Sequence, residues 1–328
     1  MFLRNYWYVL AQARDVGRKP LARRALGRGV VLFRTEAGAV TAMEDRCPHR
    51  LAPLSMGELV GDELQCRYHG FRYDCTGKCV AIPGEDVIPP TIRVETFPAV
   101  ERHNMVWVWM GAKDNADPSS IPGWDVMEEA SFVHMYFDNV FDAPMMSIVD
   151  NLLDLTHVHF THRLLGADNM IHDSDPMKVW RETDSIYFSR KLRKGARIKP
   201  GMYIEIGGGY ALPSICYTTS LPKRDDGEII AGAPVTRVMH CLTPENEGRT
   251  RYIAMRSWNV ATRPQDLAAL EHQTNVTILE DKEMLEGQQR VRLDSPGVKD
   301  RLIRADAAAV QSRRLFEEAV KRETAAAG

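Results

Sequence analysis

The stretch that decides the fold reads Cys47-Pro48-His49 and Cys66-Arg67-Tyr68-His69, with residues 50–65 between the two halves. Each half pairs one thiol with one imidazole at the spacing of a loop. Strand-like runs flank both halves, so we expect two hairpin tips to converge on one point. Two thiolates and two imidazoles suit either Zn²⁺ or a [2Fe–2S] centre in which two histidines replace two cysteines.

The spacing distinguishes these two metals. Structural zinc sites usually pair like ligands, as C-x₂₋₄-C and H-x₃₋₅-H. Here each half mixes Cys with His, so that one iron can take Cys47 and Cys66 while the other takes His49 and His69. That is the Rieske arrangement, and the sequence predicts it. A zinc site and a metal-free group of four buried residues are the alternatives.

The rest of the N-terminal region is typical of an all-β domain. Short apolar or alternating runs recur between Gly and Pro residues over residues 1–111. These predicted strands are Val30–Thr35, Val40–Glu44, Glu63–Cys66, Phe71–Asp74, Cys79–Ile82 and Met105–Met110. The last run is apolar on both faces, which indicates a central strand.

The C-terminal region mixes helices with strands. Residues 111–124 are rich in Pro, Gly, Ser and Asp, and we interpret them as a linker. Helices are predicted over about 144–163, 264–290 and 306–324, with strand-like stretches between the first two. The glycines Gly195, Gly201 and Gly207–Gly209 suggest a flexible lid. The pattern predicts an α+β chain with domains at 1–115 and 116–328.

A second group of polar residues lies in the predicted helix 144–163. Asn151, Asp154 and His157 are spaced three apart, so one helical face can carry all three. His162 follows His157 by five residues, which on a regular helix places it about 140° away. Both histidines can therefore bind one metal only if the helix ends or bulges between them.

Two histidines plus one carboxylate, with open positions, form the facial triad of non-haem Fe(II) oxygenases. We expect the carboxylate to come from another element. The helix 264–290 offers five acidic candidates, Glu271, Glu280, Asp281, Glu283 and Glu286. Periodicity does not choose among them, and a hydrogen-bonded polar network without metal is the alternative interpretation.

Composition excludes several other classes of protein. Of 328 residues, 44% are apolar and 26% charged, as in ordinary globular proteins. The 42 basic and 44 acidic residues leave a net charge of −2, so no global basic field attracts nucleic acid or an anionic membrane. No apolar run could span a bilayer, and the N-terminus does not read as a signal peptide. Six cysteines are too few for a disulfide scaffold, which favours the cytoplasm.

With both groups of residues in view, the chain resembles the oxygenase component of Rieske non-haem iron oxygenases. The resemblance is greatest to the branch of vanillate O-demethylase, dicamba monooxygenase and toluenesulfonate methyl-monooxygenase. It rests on both cluster loops and on further segments along most of the chain: Arg4–Val9, Val106–Trp109, Val149–His157 with His162, Glu280-Asp281 and Val310–Arg314. One departure is Trp258-Asn259, where the branch often shows Arg-Asn.

This resemblance implies a fold and a set of site residues. It implies an all-β Rieske domain followed by a catalytic domain with a curved antiparallel sheet and helices, of the helix-grip (START-like) type. It further implies that His157, His162 and Asp281 bind iron, that Asn151 lies close to the iron, and that Asp154 bridges the two metal sites. It also implies a homotrimeric ring, in which the cluster of one subunit lies beside the iron of its neighbour.

The implied activity is that of the terminal oxygenase of a multicomponent system. Such a component uses O₂ and NAD(P)H electrons to hydroxylate, or to O- or N-demethylate, a small aromatic substrate. Gly207–Gly209 lacks the G-x-G-x-x-G spacing of dinucleotide-binding loops, so we expect a separate flavin-containing reductase, with or without a ferredoxin. The alternatives are an aromatic-ring cis-dihydroxylating oxygenase and a Rieske electron carrier without catalytic iron.

Overall fold

The computed structural model describes residues 1–162, 175–193, 198–259 and 264–327. Contacts between Cα atoms group the chain into two compact units. The first comprises Met1–Gly123 with Thr243–Glu247, and the second comprises Trp124–Leu242 with Gly248–Gly328. In the described part of the chain, no helix has the length and apolar character needed to cross a membrane.

The first unit is built from three small antiparallel sheets, which confirms the all-β prediction for the N-terminal region. Its strands are β1 Trp7–Gln12, β2 Leu21–Ala25, β3 Arg28–Arg34, β4 Val40–Glu44, β5 Glu58–Val60, β6 Glu63–Gln65, β7 Arg72–Tyr73, β8 Cys79–Ala81, β9 Thr96–Phe97, β10 Ala99–Arg102 and β11 Met105–Trp109. The strand orders are β1-β11-β10, β2-β3-β4-β9 and β5-β6-β7-β8. Strand β11 is buried throughout and central in its sheet, as its apolar sequence predicts.

Within its described residues, the second unit contains one seven-stranded sheet and four helices. Its elements are β12 Val133–Phe141, α1 Met145–Leu153, α2 Val158–Thr161, β13 Lys178–Glu182, β14 Ser185–Leu192, β15 Met202–Ala211, β16 Ile215–Arg224, β17 Thr236–Asn246, β18 Arg249–Trp258, α3 Pro264–Asp294 and α4 Ala307–Ala327. The strand order is β12-β18-β17-β16-β15-β14-β13. Helices α3 and α4 correspond to the two predicted C-terminal helices, and the α+β fold class is confirmed.

The prediction of one continuous helix over 144–163 is wrong. Helix α1 ends at Leu153, and Asp154 adopts an extended backbone with φ −111° and ψ 106°. The Asp154 carboxylate accepts a hydrogen bond from the Thr156 backbone N–H at 2.8 Å and so begins a new 3₁₀ turn, Leu155–His157. A side chain that caps the following turn competes with continuation of the helix. Asn151, Asp154 and His157 therefore do not share one helical face.

The prediction of a flexible lid is also wrong for the last three of its glycines. Gly207, Gly208 and Gly209 lie within β15, between two hydrogen-bonded neighbours. A Cβ added to Gly208 would lie 2.0 Å from the Tyr217 carbonyl oxygen, so this glycine permits close approach of strands. Gly201 occupies the turn before β15 with φ +81°, and Gly195 lies outside the described residues.

Candidate metal centres

The two cluster loops bring the two predicted thiols close to each other, and the two predicted imidazoles close to each other, in the first unit. Each loop is closed by a short main-chain hydrogen bond, from Leu51 N to Cys47 O at 2.9 Å and from Gly70 N to Cys66 O at 3.0 Å. Gly70 has φ +72°, a conformation that favours glycine. The His49 and His69 rings are exposed, with centroids 4.6 Å apart.

The two thiols, in contrast, are buried in a hydrophobic core. Cys47 is 2% exposed and Cys66 is 1% exposed. Burial raises the pKa of the Cys66 thiol, and the neighbouring Cys47 raises it further. Two buried thiols can both ionise only if a cation compensates them, which the irons of a cluster would do. The donor set therefore fits a Rieske cluster with thiolates inside and imidazoles at the exposed edge.

One further side chain contacts the cluster site. The Tyr73 hydroxyl lies 3.1 Å from Cys47 Sγ, and its side chain is fully buried on β7. The same burial raises the pKa of Tyr73 well above its ordinary value. Tyr73 therefore stays protonated and can donate a hydrogen bond to the sulfur.

In the second unit, two side chains from the segment around α2 and one side chain from α3 meet at one point. The ligand atoms of His157, His162 and Asp281 all lie within 4.8 Å of one another. Asp281 Oδ1 is 3.4 Å from His157 Nε2 and 3.3 Å from His162 Nε2. Helix α2 ends at Thr161, immediately before His162, so the chain turns between the two histidines as the spacing requires. The donor set fits a facial triad with open positions.

Outer partners orient these three side chains. His157 Nδ1 lies 2.6 Å from the main-chain oxygen of Asp154, and His162 Nδ1 lies 3.1 Å from Glu280 Oε2. Each Nδ1 faces an oxygen and so carries the proton, so Nε2, which lies toward Asp281 in both histidines, is the atom that would bind a metal. Asn151 Nδ2 donates to Asp281 Oδ1 at 3.0 Å.

The pKa values of two of these side chains are shifted from their ordinary values. Burial alone would raise the pKa of Asp281, but hydrogen bonds from His157 and His162 outweigh it and lower that pKa to about 2. Burial would lower the pKa of His162, but Asp281 and Glu280 outweigh it, so that pKa is raised. In the absence of metal, the group therefore holds an anionic carboxylate beside an imidazole that binds a proton readily.

Asp154 lies next to this group, but its carboxylate has other partners. One oxygen accepts from the Thr156 backbone N–H, and the other accepts from the Thr156 hydroxyl at 2.9 Å. The main-chain carbonyl of Asp154, and not its carboxylate, lies against the imidazole of His157. Asp154 is half-buried beside a cavity of about 230 Å³ that Asn151 and His157 also line.

Two polar groups near these residues carried no signal in the sequence. His240 is buried between Thr218 Oγ1 at 2.9 Å and Tyr252 Oη at 2.7 Å, and burial lowers its pKa to about 3. Arg313 of α4 forms a bidentate ion pair with Asp150 of α1. In both cases the interacting residues are distant in sequence, and the periodicity of the sequence does not predict such contacts.

Comparison with known proteins matches two parts of the chain to known domains. Residues 6–98 match the Rieske [2Fe–2S] domain, and residues 141–322 match the vanillate O-demethylase oxygenase C-terminal domain. A putative toluene-4-sulfonate monooxygenase system iron-sulfur subunit of Comamonas testosteroni is 33% identical, over 98% of each chain. The dicamba O-demethylase oxygenase component of Stenotrophomonas maltophilia is 31% identical, over 99% of each chain. A crystal structure of dicamba monooxygenase bound to dicamba matches with TM-score 0.90 and 29% identity, over 99% of each chain.

A Rieske domain joined to a domain of this type defines the oxygenase component of a Rieske monooxygenase system, which is an oxidoreductase. Its cofactors are a Rieske [2Fe–2S] cluster and a mononuclear non-haem iron. The chain belongs to the family of Rieske non-haem iron oxygenases, in the vanillate O-demethylase branch.

Proposed function

We propose that two sets of side chains hold the two metal centres of this oxygenase component, one set for the mononuclear iron and one for the cluster. The iron ligands are His157, His162 and Asp281, with Asn151 as a neighbour that fixes the Asp281 carboxylate. The cluster ligands are the thiols and imidazoles of the two loops, Cys47, Cys66, His49 and His69. The observation that carries the proposal is that the three iron-ligand atoms lie within 4.8 Å of one another, although Asp281 lies on α3, far along the chain from the two histidines.

The chain's own groups position the reaction. When bound, the metals supply O₂ activation, so that a C–H bond, O₂, NAD(P)H and a proton give an alcohol, water and NAD(P)⁺. His157 and His162 keep their Nδ1 protons and direct Nε2 toward the metal, because each Nδ1 has an oxygen partner. Asp281 supplies an anionic oxygen ligand, which Asn151 holds in place.

We propose a small aromatic substrate that is hydroxylated or O- or N-demethylated. The relatives support this class, because their names include toluene-4-sulfonate and dicamba. Hydroxylation of a methyl carbon attached to oxygen or nitrogen gives a hemiacetal or hemiaminal, which collapses with loss of formaldehyde. Trp258-Asn259 departs from the branch at the end of β18, so we do not transfer a particular substrate.

The partners of this component follow from its chemistry. We propose a flavin-containing reductase, with or without a ferredoxin, as the electron donor, because the chain itself has no G-x-G-x-x-G loop. We also propose a cytoplasmic location, because six cysteines in 328 residues are too few for a disulfide scaffold. The functional domains are proposed as residues 1–115 and 116–328.

We further propose a homotrimer in which Asp154 faces the cluster of a neighbouring subunit. The exposure of His49 and His69 and the half-buried position of Asp154 support this arrangement. Light scattering on the purified holoprotein should give three times the mass of one chain. A monomer of full activity would contradict the trimer.

Metal analysis tests the centres directly. The purified protein should hold three irons per chain and should be red-brown. His157→Ala should keep the Rieske spectrum and two irons, and should abolish turnover. Two irons per chain in the wild type would support the electron carrier instead, and a colourless zinc protein would exclude the cluster.

The Asp154 role needs its own test. Asp154→Asn should retain three irons per chain but should slow single-turnover product formation roughly tenfold or more, as is typical when a residue that orients a metal ligand is changed. Asn keeps one oxygen that can still accept from the Thr156 N–H, so the turn should persist. A near-normal single-turnover rate would remove Asp154 from the path between the two centres.

A substrate panel tests the reaction class. Aromatic acids, sulfonates and methyl ethers are screened with reductase for substrate-dependent NADH consumption, and products are identified by mass spectrometry. An alcohol or a demethylated product with formaldehyde is expected. A cis-diol would assign the chain to the dihydroxylating class.

A further inference from the structure

Glu280 is the acidic residue immediately before Asp281 on α3, and both carboxylates face the same imidazole. Glu280 Oε2 is 3.1 Å from His162 Nδ1, while Asp281 Oδ1 is 3.3 Å from His162 Nε2. The His162 side chain is only 2% exposed, and that of Glu280 is 23% exposed. A buried ring is therefore held at both nitrogens by two consecutive residues of one helix.

The two histidines differ in their outer partners. His157 Nδ1 meets the neutral main-chain carbonyl of Asp154, whereas His162 Nδ1 meets a carboxylate. A hydrogen bond from Nδ1–H to a carboxylate increases the electron density at Nε2, which makes it a stronger ligand. It also fixes the ring, because turning the imidazole over would present a carbon atom to Glu280.

We propose that Glu280 is a positioning residue for the mononuclear metal and acts through His162. Its carboxylate holds Nε2 in the direction of the metal. Its negative charge, together with that of Asp281, neutralises a divalent ion bound between neutral histidines. This inference rests on the proposed iron ligands and adds a residue outside that set.

The charge and the hydrogen bond can be separated by substitution. Glu280→Gln keeps an oxygen that accepts from Nδ1–H but removes the charge, whereas Glu280→Ala removes both. Glu283→Gln is the matched control, because Glu283 is exposed one turn further along the same helix. Carboxylate partners of metal-bound histidines typically change metal affinity by 10–100-fold.

The experiment uses the full-length, cluster-containing protein after a chelator has removed its mononuclear metal. Co²⁺ is titrated by calorimetry into the wild type and the three variants, and the visible spectrum checks that the cluster is intact. We expect Glu280→Gln to weaken Co²⁺ binding about tenfold, Glu280→Ala by about 10–100-fold, and Glu283→Gln by less than about twofold. Thermal unfolding of the metal-free forms is measured alongside, since a merely structural role would lower stability and leave affinity unaffected.

Each contrary outcome has a distinct meaning. If Glu280→Ala binds Co²⁺ as tightly as Glu283→Gln, the positioning role is overturned while the iron centre stands. If Glu280→Gln alone matches the wild type, the charge plays no part and that half of the inference is overturned. If the wild type, with its cluster intact, binds no Co²⁺, the proposed set of iron ligands is itself wrong.

Discussion

His157 and His162 reach one carboxylate although their sequence spacing would place them far apart on a helix. The chain permits this because α2 ends at Thr161, immediately before His162. Ahead of both histidines, Asp154 ends α1 and caps the following turn with its carboxylate. Its main-chain carbonyl then accepts from His157 Nδ1. A single residue thus fixes both the turn and the orientation of one ligand ring.

A first prediction concerns Tyr73, whose hydroxyl donates to Cys47 Sγ. A hydrogen bond to a cluster sulfur stabilises the reduced, more negative state, so Tyr73→Phe should lower the reduction potential. A loss of about 1 kcal/mol corresponds to roughly 40 mV for one electron. Redox titration followed by circular dichroism measures the shift. An unchanged or higher potential would contradict the role given to this hydroxyl.

A second prediction concerns pH in the metal-free protein. The pKa of His162 is raised above its ordinary value, so its stabilising charge is fully present below about pH 6.5 and is lost as pH rises through the raised pKa. The difference in free energy of unfolding between wild type and His162→Gln should therefore be larger at pH 6 than at pH 9. Taking the difference cancels other titrating groups. Equal differences at the two pH values would count against the charge pairing with Asp281.

For individual residues, the sequence predicts candidate metal ligands better than the side chains that contact those ligands. Residue types and spacing are enough to find Cys47, Cys66 and the histidine pairs, because metal chemistry restricts ligand types. The choice of Asp281 over Glu280 needed a resemblance, since the two are adjacent acids on one helix. Tyr73 was not predicted, because its hydroxyl reaches Cys47 across 26 residues.

At the scale of elements, periodicity predicted helices α3 and α4 and most strands of the first unit. It failed where a local side chain interrupts a helix, as at Asp154, and where glycine serves packing within a strand. A run such as Gly207–Gly209 reads as flexible from composition alone. Only the neighbouring strands show that carbonyl oxygens occupy the space of a Cβ.

Strand β15 therefore gives a third prediction. Gly208→Ala would set a Cβ 2.0 Å from the Tyr217 oxygen and 3.0 Å from Phe188 Cε1, which forces the strands apart. We expect a loss of about 1–3 kcal/mol in the free energy of unfolding. Gly207→Ala is the matched control, because its Cβ would meet nothing closer than 3.2 Å. Urea unfolding measures both, and equal losses would refute this explanation for the glycines.

For the whole molecule, composition and motifs correctly predict two different parts, an all-β region with one metal motif and a mixed region with another. They do not predict which side chains form contacts between segments that are distant in sequence. Asp150 and Arg313 are 163 positions apart, yet Arg313 Nε lies 3.0 Å from each carboxylate oxygen. The pair ties the last helix of the chain to α1, whose next residue, Asn151, contacts Asp281.

This pair gives the last prediction. Arg313→Ala leaves the half-buried Asp150 carboxylate without its ion-pair partner, where burial already raises its pKa against the opposing effect of Arg313. Both side chains are partly exposed, so we expect a loss of about 1–3 kcal/mol, less than for a fully buried pair. Arg313→Lys keeps the charge without the bidentate geometry and should lose less.

The pH dependence of this effect separates charge from packing. Without Arg313 the pKa of Asp150 rises further, so the carboxylate can take up a proton at mildly acidic pH and the destabilisation should shrink between pH 7.5 and pH 5. Adding Asp150→Asn to Arg313→Ala should recover part of the loss, because no buried charge remains unpaired. Hydrogen exchange of the α1 amides reports whether that helix loosens first. A loss that is independent of pH and unrelieved in the double variant would mean that Arg313 acts through packing of its aliphatic stem instead.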